Sequence, residues 1–261
     1  AQQDPYPEWE NFTSGDFISD ITEEANFLWV GTLSGGLVKI DKSNGNKTFF
    51  NSANSGLPGN SPSSIAIDEN GTKWIASEVG LVEFDGNSWT IHNGFNSSLP
   101  SYSSIGSITI DDAGTKWLGM FGGGVVEFDG SNWNIYNTSN SGLPGDDLVT
   151  SITIDGNGTK WIATLEGGLA KFDGNNWTIY NESNSGLPDN FVERISIDSA
   201  DNKWITTKGG LAKFDDSNWT IYNESNSGLP SSSLLSLDID GNDSKWLGSG
   251  GKLVEYDGNN F

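Results

Sequence analysis

Short runs in which apolar and polar residues alternate recur along the whole chain. The clearest set lies between Ser151 and Pro188, where four such runs cover residues 151–155, 160–164, 169–173 and 177–180. A period of two residues is typical of strands that bury one face. The segments between the runs, such as DGNG and NESNSGLP, are rich in turn-forming residues. This stretch therefore predicts a four-stranded antiparallel meander.

Copies of this meander fill nearly the entire chain. The first strand recurs as SITID or a related sequence, and the tryptophan of the second strand recurs at Trp29, Trp74, Trp117, Trp161, Trp204 and Trp246. Repeats of this length with four strands each predict the blades of a β-propeller. We therefore expect an all-β, six-bladed β-propeller of four-stranded antiparallel blades, with repeats at about 17–51, 61–93, 104–137, 148–181, 191–223 and 233–261.

The sixth copy reaches its fourth strand only at the final NNF. The segment WENF, from Trp9 to Phe12, matches the fourth-strand motif and precedes the first strand of blade 1. We expect residues 8–12 to complete the last blade, so that the N-terminal strand closes the ring and residues 1–261 form one domain. Phe261 aligns with Trp9, which favours a chain cut from a longer one.

The composition limits the partners and the compartment. The net charge is −22, with 13 Lys and Arg against 35 Asp and Glu, which disfavours nucleic acid and anionic membranes because both are bound mainly through cations. No run approaches the ~18 apolar residues of a membrane span, and there is no cysteine. The start, AQQDPYPEW, is interpreted as a mature end left by signal-peptide removal. We expect an extracytoplasmic, periplasmic or secreted, monomeric domain that could belong to a longer chain.

The repeat resembles that of the two-component regulator propeller family, whose pattern is "si.iD..G..WigT..GGl". It is seen as SITIDGNGTKWIATLEGGL from Ser151 and as SITIDDAGTKWLGMFGGGV from Ser107, and SNSGLP follows at Ser139, Ser183 and Ser225. The resemblance implies an extracytoplasmic propeller, often the sensor part of membrane-bound regulators that detect saccharides. This chain lacks the transmembrane helix, kinase and immunoglobulin-like domain of that pattern. Signalling is therefore not carried over from the resemblance, whereas ligand binding is kept as an expectation.

The repeated tryptophans and aspartates are predicted to be structural. Every tryptophan either lies in a second strand or begins a fourth strand, so packing explains them better than sugar stacking does. Aspartates end the first and third strands in nearly every copy. Their turns lack the spaced ligand series of a calcium loop, and aspartate commonly bonds its own turn backbone. We expect no metal and no cofactor.

The connections at the opposite end of the blades differ from copy to copy. They comprise the hairpins between the second and third strands and the segments that lead into each first strand. Because the scaffold repeats while these connections vary, recognition is predicted on this variable face, which also carries Phe17, Asp146 and Asp147. The predicted ligand-binding residues are Arg194, Tyr102, Phe121, Glu166, Phe191, Lys208, Asp20 and Glu193.

Arg194 is the only arginine of the chain, and it replaces the serine of SITID at the predicted mouth of the central channel. Its planar guanidinium could clamp a carboxylate or sugar hydroxyls. It could equally form an ion pair with Asp20 or Glu193 across the channel. The sequence leaves these two interpretations open.

Three functions remain after these observations. The leading hypothesis is a non-catalytic propeller that binds a saccharide or another small polar ligand, and the alternative is a protein-interaction or scaffold module of a larger surface protein. The third is an enzyme with Glu166 and Asp147 as paired carboxylates, which would need a separation of ~5 to 9.5 Å. The sole histidine, His92, lies in an outer strand without a second ligand, and so departs from the histidine- and metal-dependent streptogramin lyases, propellers of similar appearance.

Overall fold

The computed structural model describes residues 17–101 and 104–261, and all the regular elements of that part are β-strands. It contains no helix that is long and apolar enough to cross a membrane. The described residues divide into two compact units that meet between Asn93 and Gly94 in the sequence. Each unit consists of antiparallel sheets whose strands follow one another in chain order.

The first unit contains two four-stranded blades. Blade 1 consists of β1 (Ile18–Glu24), β2 (Phe27–Thr32), β3 (Gly36–Asp41) and β4 (Lys47–Phe50). Blade 2 consists of β5 (Ser64–Ile67), β6 (Lys73–Ser77), β7 (Gly80–Phe84) and β8 (Trp89–His92).

The second unit contains blades 3 to 6. Blade 3 consists of β9 (Ser104–Ile110), β10 (Lys116–Phe121), β11 (Gly124–Phe128) and β12 (Trp133–Tyr136), and blade 4 of β13 (Val149–Ile154), β14 (Lys160–Thr164), β15 (Leu169–Phe172) and β16 (Trp177–Tyr180). Blade 5 consists of β17 (Val192–Ile197), β18 (Lys203–Thr207), β19 (Gly210–Phe214) and β20 (Trp219–Tyr222). Blade 6 has three strands within the described residues, β21 (Leu234–Ile239), β22 (Lys245–Ser249) and β23 (Lys252–Tyr256).

The predicted fold class, an all-β, six-bladed β-propeller of antiparallel blades, is confirmed. In the second unit the first strands of successive blades contact one another, β9 with β13, β13 with β17 and β17 with β21. The segment expected to complete blade 6, residues 8–12, lies outside the described residues. Closure by that segment therefore stays a prediction.

The core lies between successive blades. Between blades 4 and 5, for example, Trp161 and Leu169 pack with Val192, Ile195 and Ile205, all at most 4% exposed. Alternate residues of an inner strand face opposite neighbours: Trp161 packs against blade 5, whereas Ile162 packs against blade 3, so the second strand is buried on both faces. The core consists of repeated layers between blades rather than one central cluster.

Each second-strand tryptophan is anchored by the acidic residue that ends the first strand. In blade 4 the Trp161 Nε1 donates to Asp155 Oδ2 at 3.0 Å, and Asp155 Oδ1 accepts the backbone N–H groups of Asn157 and Thr159 at 3.0 and 2.9 Å. The same indole bond occurs in the other five blades. These contacts support the prediction that the tryptophans pack and that the aspartates bond their own turns.

A lysine at the start of the second strand joins successive blades, a contact that the sequence analysis did not anticipate. Lys160 Nζ lies 3.4 Å from Asp111 Oδ2 and 4.5 Å from the ring centroid of Trp117, both in the preceding blade. Lys245 Nζ lies 3.7 Å from Asp198 Oδ2 in the same way. The tryptophan and aspartate of one blade therefore form a site for the lysine of the next blade.

The fourth-strand aromatic residues pack on the linking SGLP segments. Trp219 stacks on Phe214 with ring centroids 4.4 Å apart. A Cβ on Gly186 would lie 2.4 Å from the Cβ of Trp219, so this position admits only glycine. In blade 6 Phe261 fills the equivalent place, stacked on Tyr256 at 4.4 Å. The SGLP motif is thus a packing motif.

Candidate functional site

A bulge interrupts the first strand of five blades near its start. The pairing with the second strand skips one residue at each of these positions, which are Ser19, Gly106, Thr150, Glu193 and Leu235. A bulge redirects its side chain and often lies next to a functional site. The bulge residue differs in every blade. It is therefore a blade-specific position within an otherwise repeated strand.

Two of the bulge residues connect successive blades through their hydroxyl groups. Thr150 Oγ1 donates to the carbonyl oxygen of Val192 in blade 5 at 2.7 Å. Ser19 Oγ donates to the carbonyl oxygen of Pro62, at the start of blade 2. In blade 5 the bulge residue is ionisable, because Glu193 occupies the position. That carboxyl group is what distinguishes blade 5 from the other blades.

Glu193 is partly buried and lies in the field of two cations. Burial raises the pKa of its carboxyl group, and the positive charges of Arg194 and Lys208 oppose this shift without cancelling it. A carboxyl group with a raised pKa beside two cations is an arrangement typical of functional sites.

The backbone of Arg194 is fixed, whereas its guanidinium has few partners. Its backbone N–H donates to Thr206 Oγ1 at 3.1 Å, and Nη1 reaches the carbonyl oxygen of Thr150 in blade 4 at 3.5 Å. Arg194 forms no ion pair with Glu193 or with another described carboxylate of its own unit. The guanidinium therefore retains most of its donors for another acceptor.

Lys208 and Phe191 meet at the edge of the same blade. Lys208, in the hairpin between β18 and β19, places its Nζ 3.3 Å from the ring centroid of Phe191. The backbone N–H of Phe191 donates to Asp189 Oδ1 at 2.7 Å, which holds the start of the strand. The structure thus brings together four of the predicted residues. Phe191, Glu193, Arg194 and Lys208 are called the blade-5 patch below.

The remaining predicted residues occupy other blades. Phe121 is 43% exposed at the end of β10, and its ring covers Gly106, where a Cβ would lie 2.5 Å from Cε2. Glu166 is exposed on the hairpin of blade 4. Asp20 belongs to the first unit, where its Oδ2 accepts the backbone N–H of Ile65 at 2.6 Å. Tyr102 lies outside the described residues.

Asp147 has a structural role. It adopts a left-handed backbone with φ 63°. Its carboxylate accepts both the backbone N–H and the hydroxyl of Thr138, at 2.7 and 3.2 Å. One member of the carboxylate pair required by the enzyme hypothesis is thus used to close a loop.

The hairpins of the variable face are held by backbone bonds to the segment that leads into the next blade. Gly36 N–H donates to the carbonyl oxygen of Asn60 at 2.9 Å, Gly124 to that of Asp147 at 3.0 Å, and Gly168 to that of Asn190 at 3.0 Å. These backbone bonds tie each of the three hairpins at its base.

Exposed apolar side chains on these hairpins were largely missed by the sequence analysis, which selected only Phe121. Leu33 is 53% exposed and Val79 is 38% exposed at similar places in blades 1 and 2, and Phe95 in the connection after blade 2 is 99% exposed. The sequence carries a signal for them, because in blades 1 to 3 an apolar residue ends the second strand or follows it within two residues. It was obscured because the hairpins differ in length.

His92 packs within its blade. Its ring stacks on Trp74 with centroids 6.2 Å apart, and its Nε2 lies 3.4 Å from Glu83 Oε2. The described residues contain no group of three His, Asp or Glu side chains that could hold a metal ion.

No family model matches the chain, and no curated protein matches it. Solved structures with the same fold do match. The extracellular domain of a protein described as a hybrid two-component system from B. thetaiotaomicron is 23% identical, with a TM-score of 0.76 over 91% of this chain and 32% of that chain. PorZ, a surface component of the type-IX secretion system of Porphyromonas gingivalis, is 20% identical, with a TM-score of 0.72 over 92% of this chain and 38% of that chain.

Virginiamycin B lyase from Staphylococcus aureus shares the fold at 14% identity, with a TM-score of 0.72 over 95% of this chain and 85% of that chain. The chain spans about a third of the length of the first two structures. At these identities the likeness concerns the fold. The expected resemblance to propellers of two-component systems is confirmed at that level.

Proposed function

We propose that this protein is a non-catalytic, extracytoplasmic propeller module that binds a saccharide or another small polar ligand at the blade-5 patch. The observation that carries the proposal is the combination of Arg194 and Lys208 with the ring of Phe191 on a chain of net charge −22. Polar groups that converge beside an aromatic surface are typical of small-ligand sites. Hairpins tied at their bases by backbone hydrogen bonds lose less conformational entropy when a ligand binds.

An extracytoplasmic location and a role in a larger protein are supported by the structures that share the fold. One of them is an extracellular domain, another is a surface component of a secretion system, and both are much longer than this chain. The repeat pattern itself resembles that of sensor propellers. These similarities support a ligand outside the cytoplasm.

A catalytic role finds less support. Asp147 is occupied by Thr138, and His92 is packed on Trp74. The blade-5 patch holds a single carboxyl group, that of Glu193, whereas general acid and base chemistry on glycosides uses two.

Binding to a glycan array tests the proposal. The intact protein is expected to retain a subset of glycans, and Arg194→Ala and Lys208→Ala are expected to weaken that binding about tenfold, because each removes a charged hydrogen-bond donor. Lys213→Ala is the matched control, since Lys213 lies in β19 of the same blade and pairs with Trp204 at the far end of β18. Loss of binding in the control as well, or no retained glycan, would contradict the proposal.

A second candidate, a protein-interaction module, is favoured by the exposed side chains of Leu33, Val79 and Phe121. Exposed apolar side chains mark a protein contact where they form a patch. Capture of surface proteins with the wild type and with Phe121→Ser tests this role. Phe49→Ser is the control, because Phe49 is 40% exposed in the outer strand β4 and away from the hairpins. Equal capture by both variants and the wild type would exclude a role for the hairpins.

A further inference from the structure

Positive charge is scarce in this protein, and most of it serves the scaffold. Four second-strand lysines, Lys73, Lys160, Lys203 and Lys245, pair with carboxylates and lie over tryptophan rings. Lys42 pairs with Glu23. Arg194 and Lys208 form no ion pair within the described part of the second unit. The same holds for Lys171, Lys213 and Lys252, but only Arg194 and Lys208 lie together beside one carboxyl group, that of Glu193. Two cations without ion pairs, side by side in the blade-5 patch of an acidic protein, require an explanation.

Hydrogen bonds hold Arg194, which carries the guanidinium of the blade-5 patch, in place. The backbone of Arg194 is bonded to Thr206 in the adjacent strand, and Nη1 rests on the carbonyl oxygen of Thr150. Thr150 is itself bonded to Val192. A guanidinium has five N–H donors in a planar fork, and one long bond leaves the fork available. The fork matches the two oxygens of a carboxylate.

The pairing of β17 with β18 brings the second cation close to the first. Val192 is directly opposite Thr207, and Arg194 is opposite Thr206, so Lys208 follows the residue that faces the start of the strand. Its position over Phe191 combines a positive charge with an apolar surface. A uronate supplies the carboxylate that this pair of cations could hold.

Resting on the binding role proposed above, we infer that the ligand of the blade-5 patch is an acidic saccharide whose uronate carboxylate is held by Arg194, with Lys208, which lies over the ring of Phe191, as the second cation. Glu193 sets the strength of binding, because its negative charge lies beside both cations and repels a second carboxylate. The bulge places that charge at the patch. A neutral saccharide would leave the guanidinium fork unmatched and is bound more weakly.

Pairs of uronate oligosaccharides and their carboxyl-reduced, neutral counterparts test the inference by calorimetry at low salt. At least one uronate is expected to bind about tenfold more tightly than its neutral form, since a charged hydrogen bond is lost on reduction. Arg194→Ala is expected to abolish this preference. Arg194→Lys, which keeps the charge and loses the fork, is expected to retain only part of it.

Glu193→Gln is expected to strengthen uronate binding, a result that a misfolded variant would not give. Removing the repelling charge is expected to tighten uronate binding several-fold and to leave the neutral counterpart unchanged. Lys213→Ala serves as the folding and charge control. Equal binding of a uronate and its neutral form would overturn the acidic ligand and leave the proposed function standing. Binding of sulfated sugars alone would also overturn the carboxylate, and binding of no saccharide would overturn both.

Discussion

Asp155 shows how much a single side chain contributes to a blade. Its carboxylate accepts bonds from Trp161, Asn157 and Thr159, and it is 7% exposed. Burial alone would raise the pKa of this carboxyl group, but the hydrogen bonds and the charge of Lys203 outweigh burial and lower it. The ionised form is therefore the one that stabilises the fold.

Asp155→Ala is expected to destabilise the protein by about 1–3 kcal/mol, because it leaves the buried Trp161 indole and two turn N–H groups without their acceptor. The urea midpoint at neutral pH measures the loss. Asp112→Ala is the control, since Asp112 is exposed in the corresponding turn of blade 3. A control that lost as much as Asp155→Ala would show that the carboxylate bonds are not the cause.

The same bonds predict how stability changes with pH. Because the native pKa of Asp155 is lowered, its stabilisation is complete above the ordinary aspartate pKa of ~3.9 and is lost as the pH falls through the native value. The wild type is therefore expected to lose stability more steeply below about pH 4 than Asp155→Ala does. Parallel curves for the two proteins would contradict the lowered pKa.

At the scale of the element, the hairpins and linkers are more tightly specified than their composition suggests. The SGLP segment fits beneath the first aromatic residue of the following outer strand, with Gly186 against Trp219 and Gly142 against Trp177. The third-strand aromatic residue covers the other side of the tryptophan, as Phe214 does for Trp219. The outer strand is thus held from two sides although it is only four residues long.

Gly186→Ala is expected to cost about 1–3 kcal/mol through overpacking, because the new methyl group would collide with Trp219. Thermal and urea unfolding measure this loss. Gly156→Ala is the matched control, since nothing lies within 4 Å of its Cβ position, and it is expected to stay within about 0.5 kcal/mol of the wild type. A tolerated Gly186→Ala would mean that the outer strand can move away.

At the scale of the whole molecule, charge and packing oppose each other. The net charge of −22 favours solubility but destabilises a compact chain through self-repulsion. The lysine contacts between successive blades offset part of this repulsion locally. They are partly buried, as for Lys160 and Asp111 with 12% exposed side chains each, and salt screens such pairs less than it screens exposed charges.

Added sodium chloride is therefore expected to raise the melting temperature by a few degrees between about 0.02 and 0.5 M, because the Debye length shrinks across that range and the surface repulsion weakens. Calorimetry at fixed pH measures the shift. Chloride is preferable to sulfate, which stabilises proteins by exclusion from their surface. A falling melting temperature would show that the ion pairs between blades outweigh the repulsion.

The repeat made most of the fold predictable. Alternating residues identified the strands, the recurring tryptophan gave six blades, and Trp161, Asp155 and Gly186 keep equivalent contacts wherever the motif recurs. These local, periodic patterns can be read from the sequence because each blade repeats the same backbone geometry. The blades expected from them are the blades observed, and the fourth strand assigned to residues 8–12 stays a prediction.

The candidate site was only partly predictable. The sequence singled out Arg194 as an isolated arginine and placed Phe191, Glu193 and Lys208 on the variable face. It gave no indication of the bulge that redirects Glu193, of the hydroxyl of Thr150 that joins blades 4 and 5, or of the lysine contacts between blades. These features depend on the register of two strands and on side chains about 40 residues apart.

The sequence by itself therefore determined the blade, because its strand period, turns and anchoring tryptophans are local properties of a repeated segment. Only the tertiary structure decided which cations take part in ion pairs between blades. A lysine beside a neighbouring blade's aspartate and tryptophan becomes part of the scaffold, whereas Arg194 and Lys208 lie beside Glu193 of their own blade without an ion pair. Charge is read from the sequence, but its neutralisation depends on which blades lie side by side.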